Sequence, residues 1–223
     1  MDYLLIFDFD GVIVDSELII RNVLNEYIEK LGVKGNSAND FIGIGGAVLI
    51  KKIEEISGTQ ITDMMIHEYN KGLFEALNQK IKPLLANTFG MLQNQGYKYC
   101  IASNSIREQV NLCLKAVNMS HYFTDDAIFT IEQVKSGKPE PDLFLLAANS
   151  WQIDKNKCLV IEDSPSGIRA ARAADMNVVA FMGGEHAKTQ EYMDKIAAHQ
   201  TILLPDEIAL LNYLKSEYQL KLT

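Results

Sequence analysis

The sequence lacks the features that mark membrane, disulfide-bonded and nucleic-acid-binding proteins. Its three cysteines are widely spaced with no C-x-x-C pair, so neither a disulfide framework nor a zinc site is predicted. The net charge is −8, whereas a nucleic-acid-binding protein needs an excess of Lys and Arg. The apolar run at 3–9 is too short to span a bilayer and contains Asp8. We therefore expect a cytoplasmic protein that binds neither nucleic acid nor membranes.

The composition is that of an ordinary globular protein. Hydrophobic residues make up 48% and charged residues 22% of the chain, so a sizeable core is expected. At about 150 residues per domain, the 223 residues allow one or two domains. Internal repeats and low-complexity segments are absent from the sequence. Cys100 and Cys158 lie in apolar, strand-like segments, where cysteine usually serves as a small buried hydrophobe.

Short apolar runs alternate with helix-like segments, a pattern typical of an α/β fold with a parallel sheet. The runs are almost continuously apolar, which indicates strands buried on both faces. They occupy residues 3–9, 97–102, 127–130, 158–163, 177–182 and 201–204.

Residues 16–82 do not follow this alternation. They read as three successive helices at about 17–31, 47–57 and 62–78, the last with an apolar stripe at every fourth residue. We therefore predict a small all-helical domain over 16–82, inserted after the first strand. The α/β core domain would then comprise residues 1–15 and 83–223.

Several residues predict the ends of helices in the core. Ser105 and Glu108 have the spacing of a capping box for a helix that runs to about residue 117. Gly96 is expected to end the preceding helix. Pro165, after Ser164, suits the first position of a helix.

Two acidic pairs stand at the ends of predicted strands. Asp8 and Asp10 end the first run, and Glu162 and Asp163 end the fourth. Ligands of open parallel sheets bind beyond the carboxyl ends of the strands, so both pairs are expected at one site. Because buried like charges resist joint ionisation, a cation should compensate them.

Two further groups are expected at the same edge. Ser103 and Asn104 follow the second run just before a helix, where a hydroxyl, an amide and backbone N–H groups favour anion binding. Lys138 stands in a turn shaped by Gly137 and Pro139. Each of these residues alone would be an ordinary cap or a solvated charge.

Together these residues suit phosphoryl transfer, which needs a nucleophile, a proton donor, a hard cation and donors to the phosphoryl oxygens. Asp8 is the candidate nucleophile and Asp10 the candidate acid. Magnesium prefers oxygen ligands, and Asp8, Asp163 and the main-chain carbonyl of Asp10 are the candidate ligands.

Four stretches, IFDFDGVIVDSE, IASNS, KSGKPEPDLF and VIEDSPSGIRAARAADM, resemble in order the four motifs of the haloacid dehalogenase-like superfamily. The resemblance covers essentially the whole chain and is strongest to the branch of beta-phosphoglucomutase-like proteins and sugar-phosphate phosphatases. It implies a doubly wound, Rossmann-like parallel core and a helical cap that closes over the site.

The resemblance also implies a role for each motif residue. Asp8 would be the nucleophile and Asp10 the general acid/base, with an aspartyl-phosphate intermediate. Lys138 would offset negative charge during catalysis. Ser103 and Asn104 would bind the transferring phosphoryl group. Asp163 would bind magnesium, with Glu162 nearby.

Three alternatives to a phosphatase are less consistent with the sequence. Dehalogenases of the superfamily lack the second aspartate of the first motif, whereas Asp10 is present. A phosphomutase would need a second phosphate contact, and the segment FIGIGG at 41–46 has no Arg or Lys. Arg21, Lys51 and Lys52 are the other candidates for that contact. A catalytically silent phosphate binder is disfavoured by the complete set of reactive groups.

The sequence says least about the substrate. The patterns HYF at 121–123 and FMGGEHA at 181–187 resemble proteins that act on sugar or sugar-acid phosphates, including 6-phosphogluconate. We expect a monomer acting on a small organophosphate, with structural or surface roles for the histidines at 67, 121 and 186. Substrate specificity is assigned to Gly43, Ile44, Gly45, Gly46 and Lys51.

Overall fold

A six-stranded parallel sheet forms the centre of the computed structural model, which describes residues 3–33 and 46–221. The strand order is β3-β2-β1-β4-β5-β6, so β1 lies in the middle. Strands β2 and β3 are added on one side of β1, and β4, β5 and β6 on the other. This order confirms the predicted doubly wound α/β fold. The strands are β1 (Leu4–Phe7), β2 (Lys98–Ser103), β3 (Ile128–Thr130), β4 (Cys158–Glu162), β5 (Asn177–Phe181) and β6 (Ile202–Leu204).

Helices account for most of the remaining regular structure. Four of them lie between β1 and β2, and the others alternate with the strands. They are α1 (Glu17–Lys30), α2 (Gly46–Ser57), α3 (Asp63–Lys80), α4 (Thr88–Asn94), α5 (Arg107–Ala116), α6 (Asp142–Ser150), α7 (Pro165–Ala173), α8 (Gln190–Ala197) and α9 (Glu207–Tyr218). None of the helices in the described part of the chain is long and apolar enough to cross a membrane.

The core lies on both faces of the sheet. Along β1, Leu5 and Phe7 belong to one apolar cluster and Leu4 and Ile6 to another, because successive side chains point to opposite faces. The near-continuous apolar runs therefore become strands buried on both sides. All three cysteines are buried and unpaired. For Cys100 and Cys158 this burial was predicted from their apolar surroundings.

The helix ends show one wrong prediction. Ser164 caps α7 by accepting a hydrogen bond from Gly167 N at 3.0 Å, and Gly96 follows α4 with a φ of +68°, both as expected. The capping box of Ser105 and Glu108 does not form. Helix α5 begins only at Arg107, and the Ser105 hydroxyl instead donates to Asp10 at 2.5 Å. The N-cap position is occupied by Ile106, so Ser105 stands one residue too early to cap the helix.

Helices α1–α3 are joined to the core by two adjacent chain segments. Val14 pairs with Pro83 in an antiparallel bridge, and Asp15 N donates to Lys82 O at 2.9 Å. The predicted domain limits, 16–82 against 1–15 and 83–223, fall at these two adjacent segments. The division into two domains stays a prediction.

Candidate active site

The acidic pair after β1 lies at the carboxyl end of the central strand. The Asp8 N–H donates to Ile161 O at 2.9 Å, so the segment after β1 stays beside β4. Gly11 then turns the chain with a φ of +81°, and a Cβ there would lie 1.9 Å from Asp163 Oδ2. Only glycine fits this turn, because it tolerates the left-handed conformation and leaves room for the Asp163 carboxylate.

Lys138 is buried between two carboxylates. Its ammonium group lies 2.6 Å from Asp8 Oδ1 and 2.7 Å from Glu162 Oε1. Burial alone would lower the pKa of Lys138, but the charges of Asp8 and Glu162 outweigh that effect and raise it. Lys138 is therefore a fixed positive charge beside the candidate nucleophile.

Asn104 positions the turn that carries this lysine. Its Oδ1 accepts from Lys138 N at 2.9 Å, and its Nδ2 donates to Lys138 O at 3.1 Å. Ser103 is buried at the end of β2, and its hydroxyl oxygen accepts from Ser105 N at 3.0 Å. Ser103 and Asn104 thus stand beside Lys138, as predicted, but the Asn104 side chain is engaged with the lysine turn. Their predicted role in phosphate binding stays a prediction.

The two carboxylates after β4 differ in their hydrogen bonding: both oxygens of Glu162 have partners, whereas one oxygen of Asp163 does not among the described residues. Glu162 Oε2 accepts from Asp163 N, Ser164 N and the Ser164 hydroxyl at 2.8–2.9 Å, while its Oε1 binds Lys138. Asp163 Oδ2 is buried with no well-directed hydrogen bond among the described residues. Buried carboxylate oxygens normally have partners, so this atom indicates a place for a cation.

The electrostatics of the cluster also fit a divalent cation. Asp8, Glu162 and Asp163 each place an oxygen within 4.8 Å of the others. Burial raises the pKa of Asp8 and of Asp163 well above the ordinary value; neighbouring carboxylates add to the effect, and Lys138 opposes it. A second positive charge would stabilise the ionised forms, and hard oxygen ligands suit magnesium. The residues therefore fit the predicted ion, and the predicted ligand role of Glu162 remains untested.

Asp10 occupies a different environment from Asp8. Its carboxylate accepts hydrogen bonds from the Ser16 and Ser105 hydroxyls at 2.5 Å each, and from Gln109 at 3.4 Å. Burial raises the pKa of Asp10, whereas the serine hydrogen bonds oppose that rise. The side chain is thus held at the carboxyl edge of the sheet with a raised pKa, which suits a group that carries a proton.

His186 completes the surroundings of Asp163. Its Nε2 approaches Asp163 Oδ2 at 2.8 Å, but the direction is poor for a hydrogen bond. The ring also packs edge-on against Tyr192, whose hydroxyl donates to Asp163 O at 3.2 Å. Burial lowers the pKa of His186, against the opposing charge of Glu17, so the ring is neutral near pH 7.

The strand ends bring together the seven residues predicted from the motifs. Sequence reasoning missed others that contact or line the site, because their signals resembled ordinary caps, motif neighbours or a remote histidine. These are Ser16, Glu17, Ser105, Gln109 and His186.

Most of the predicted specificity residues cannot be placed relative to the site. Gly43, Ile44 and Gly45 lie outside the described residues. Gly46 is the first residue of α2, and Lys51 is an exposed residue of that helix. The predicted specificity role of these residues stays a prediction.

A cavity of about 280 Å³ extends from the acidic cluster to helices α1, α2 and α3. Asp8, Ser103 and Lys138 line its floor. The three helices form its other walls, largely with isoleucine and leucine side chains. A ligand with its phosphate at the strand ends would therefore place its organic part among these helices.

Comparison with known proteins identifies the family. A sequence model of the family described as haloacid dehalogenase-like hydrolase matches residues 5–181. The chain therefore belongs to the haloacid dehalogenase-like hydrolases, a family of enzymes, as its motifs predicted.

Individual relatives are more distant. A phosphorylated carbohydrates phosphatase of Thermotoga maritima is 26% identical, covering 94% of this chain and 97% of the relative. The 6-phosphogluconate phosphatase of Escherichia coli is 24% identical, covering 82% and 83%. The chain spans only 17% of a longer relative, the protein SUPPRESSOR OF QUENCHING 1 of Arabidopsis thaliana, which is 29% identical over 78% of this chain.

Solved structures share the fold. A beta-phosphoglucomutase from Clostridium difficile superposes with a TM-score of 0.79 at 21% identity, covering 98% of both chains. At this identity the similarity establishes the architecture alone.

Proposed function

We propose that this chain is a magnesium-dependent phosphatase that hydrolyses a small phosphomonoester through an aspartyl-phosphate on Asp8. One observation carries the proposal: two neighbouring aspartates have distinct surroundings. Asp8 is ion-paired to Lys138 at 2.6 Å, whereas Asp10 is hydrogen-bonded to Ser16 and Ser105. Pairs of carboxyl groups in unlike environments are typical of separate nucleophile and acid/base roles.

In the first step a carboxylate oxygen of Asp8 attacks phosphorus, and the bond from phosphorus to the alcohol oxygen breaks. Asp10 gives its proton to that departing oxygen, so the product leaves as a neutral alcohol. Lys138 stabilises the charge that Asp8 and the phosphoryl oxygens share. Ser103 and Asn104, at the carboxyl end of β2, are suited to bind the transferring phosphoryl group.

In the second step Asp10, now a carboxylate, takes a proton from water. The oxygen of that water attacks phosphorus, and the bond from phosphorus to Asp8 breaks. Inorganic phosphate leaves, while Asp8 returns as a carboxylate and Asp10 as an acid. The raised pKa of Asp10 supports both halves of this cycle, because the group must gain and lose a proton near neutral pH.

Asp8, Asp163 and the main-chain carbonyl of Asp10 would hold the magnesium ion, with Glu162 beside them. When bound, the ion would neutralise negative charge on the phosphoryl group and its carboxylate neighbours. Two observations support this assignment: Asp163 Oδ2 accepts no well-directed hydrogen bond from the described residues, and three carboxylates cluster there.

For the organic part of the substrate, sequence patterns and the names of two relatives favour a sugar or sugar-acid phosphate, including 6-phosphogluconate. Such compounds carry several hydroxyl groups, each of which loses water on binding and needs a partner. The chemistry of the cavity wall bears directly on this hypothesis. The predicted monomeric state and cytoplasmic location stay predictions.

A phosphomutase of the beta-phosphoglucomutase type is the second candidate, because Arg21 in the cavity wall could contact a second phosphate. A mutase would interconvert phosphosugar isomers without net release of phosphate. Product analysis with phosphosugars as substrates distinguishes the two activities. A catalytically silent binder would bind the same ligands and release no product.

Magnesium titration of chelator-treated protein tests the proposal. We expect no phosphate release without the ion, recovery with magnesium, and a rise in melting temperature because the ion binds only the native site. Asp163→Asn should remove both responses, whereas Asp175→Asn, at an exposed ion pair with Lys155, should retain them. Undiminished activity of the metal-free sample would overturn the magnesium mechanism.

A further inference from the structure

The wall of the cavity above the acidic cluster is built from one face of each of three helices. In α1 and α3 the lining positions recur every three or four residues, which is the spacing of a single helix face. The apolar members are Ile20 and Leu24 of α1, Leu49, Ile50 and Ile53 of α2, Ile61 before α3, and Ile66 and Leu73 of α3.

This space is not explained by core packing alone. Protein interiors are close-packed, and voids much larger than a water molecule are few. Here about 280 Å³ stays open, and Ile20, Ile50 and Ile66 remain only half-buried although they face it. The cavity continues to Asp8 and Lys138, so it meets the reacting centre. A largely apolar cavity joined to a polar centre is the usual form of a ligand site.

Polar side chains are the minority on this wall. Among the described residues of α1, α2 and α3 they are Glu17, Arg21, Tyr27, Tyr69 and Asn70. Glu17 directly follows Ser16, whose hydroxyl donates to Asp10, so Glu17 lies near the phosphoryl end of the cavity. Among the described residues, a polyol bound between the isoleucines would find few hydrogen-bond partners, and each hydroxyl group left without one costs binding free energy.

We propose that the substrate is a phosphomonoester whose alcohol part is apolar, an alkyl, prenyl or aryl group rather than a sugar. The proposal rests on the phosphatase function above and replaces its sugar-phosphate substrate class with an apolar one. Burial of the apolar group against α1, α2 and α3 supplies the binding free energy, while the phosphoryl group is held at the strand ends. Apolar surface removed from water stabilises the complex in proportion to its area.

Binding of n-alkylphosphonates from methyl to hexyl, measured by calorimetry with saturating magnesium, tests this proposal. Phosphonates keep the carbon–phosphorus bond and are not hydrolysed, so the test does not depend on turnover. We expect the Kd to fall about fourfold for each added methylene, which corresponds to about 0.8 kcal/mol per buried group. A phosphonate analogue of a hexitol phosphate should bind more weakly than hexylphosphonate.

A matched pair of variants on α2 locates the effect. Ile50→Asn puts an amide into the cavity wall, whereas Ile56→Asn changes an exposed residue outside the lining. Ile50→Asn should reduce the gain per methylene below about twofold and leave methylphosphonate binding unchanged. Ile56→Asn should reproduce the native series.

A flat alkyl series in the native protein, or tighter binding of the hexitol analogue, would overturn the apolar substrate class whatever the variants do. The proposed phosphatase function fails separately. In that case the alkyl series would retain its slope while no alkyl, aryl or sugar phosphate releases phosphate.

Discussion

The edge of the sheet and the cavity wall above it differ in how their side chains are specified. At the edge, Asp8, Lys138 and Glu162 are joined by ion pairs of 2.6 and 2.7 Å, so each residue constrains the next. In the wall, Ile20, Ile50 and Ile66 meet open space and need only be apolar. On this account, the residues at the edge carry out the reaction, and the residues of the wall determine which substrate binds. Changes at the edge should abolish chemistry, and changes in the wall should shift selectivity.

The largest expected effect concerns proton transfer at the edge. Asp10→Asn keeps the size of the side chain but removes its acid and base forms, and general acid–base catalysis typically contributes about 10²–10⁴-fold. With an alkyl phosphate, the first step should slow by about this factor. An aryl phosphate with an acidic leaving group should lose much less, because its oxygen needs little protonation. Single-turnover kinetics of both substrates measure the difference.

Equal losses of the first step with the two leaving groups would remove Asp10 as the proton donor. Its contacts with Ser16 and Ser105 would then mark a structural role.

A pair of glycines tests whether the edge is sterically crowded as described. Gly11 and Gly32 both have positive φ, but a Cβ meets Asp163 Oδ2 at Gly11 and no atom within 4 Å at Gly32. Gly32→Ala should cost only about 1–2 kcal/mol of backbone strain and keep activity. Gly11→Ala should add about 1–3 kcal/mol of overpacking and lose magnesium binding. Urea unfolding and magnesium calorimetry of both variants provide the comparison.

Similar behaviour of the two glycine variants would mean that the close approach of Gly11 to Asp163 is unimportant. Retained magnesium affinity in Gly11→Ala would separate the metal site from Asp163.

A smaller effect is expected at His186, which is buried against Asp163. If the ring positions the carboxylate, His186→Gln should weaken magnesium binding about 10–100-fold, the usual effect of removing a group that orients a metal ligand. His67→Gln, at an exposed position of α3, is the matched control. A lower melting temperature with unchanged magnesium Kd would reduce His186 to a packing role.

The smallest effect concerns the stability of the metal-free protein as a function of pH. Burial raises the pKa of Asp163 in the folded state, so the unfolded chain loses this proton first as pH rises from about 4. The free energy of unfolding should therefore fall as pH rises from about 4 to the folded-state pKa of Asp163. The total loss is about 1.4 kcal/mol for each unit by which burial raises that pKa.

Asp163→Asn removes this titration, and its stability should depend less steeply on pH. Urea unfolding of chelated native and variant protein between pH 4 and pH 8 measures the slopes. Equal slopes would show that Asp163 has no raised pKa.

The comparison also explains what could be predicted from the sequence. Apolar runs that end in charged residues predicted the strands of the sheet. They also predicted that Asp8 and Asp163 lie close together, because parallel strands end at one edge. Ser105 was misassigned because a serine before a helix has the same local pattern whether it caps the helix or binds Asp10. The contact of His186 with Asp163 joins residues 23 positions apart in the chain, and no local pattern reports it.

The cavity shows the other limit. Its wall combines faces of three helices, and the same isoleucine spacing in the sequence predicts plain core packing. Only the arrangement of α1, α2 and α3 shows that the faces enclose open space.

The central claim is the covalent intermediate, and its most direct measurement is acid quenching during turnover followed by mass spectrometry of the peptide that contains Asp8. The account predicts an acid-stable, hydroxylamine-sensitive phosphate on Asp8 in the native protein, with more of it in Asp10→Asn if the second step slows more than the first. Asp8→Asn should carry none and release no phosphate. Turnover without any phosphate on Asp8, or with phosphate on another residue as the competent intermediate, would contradict the account.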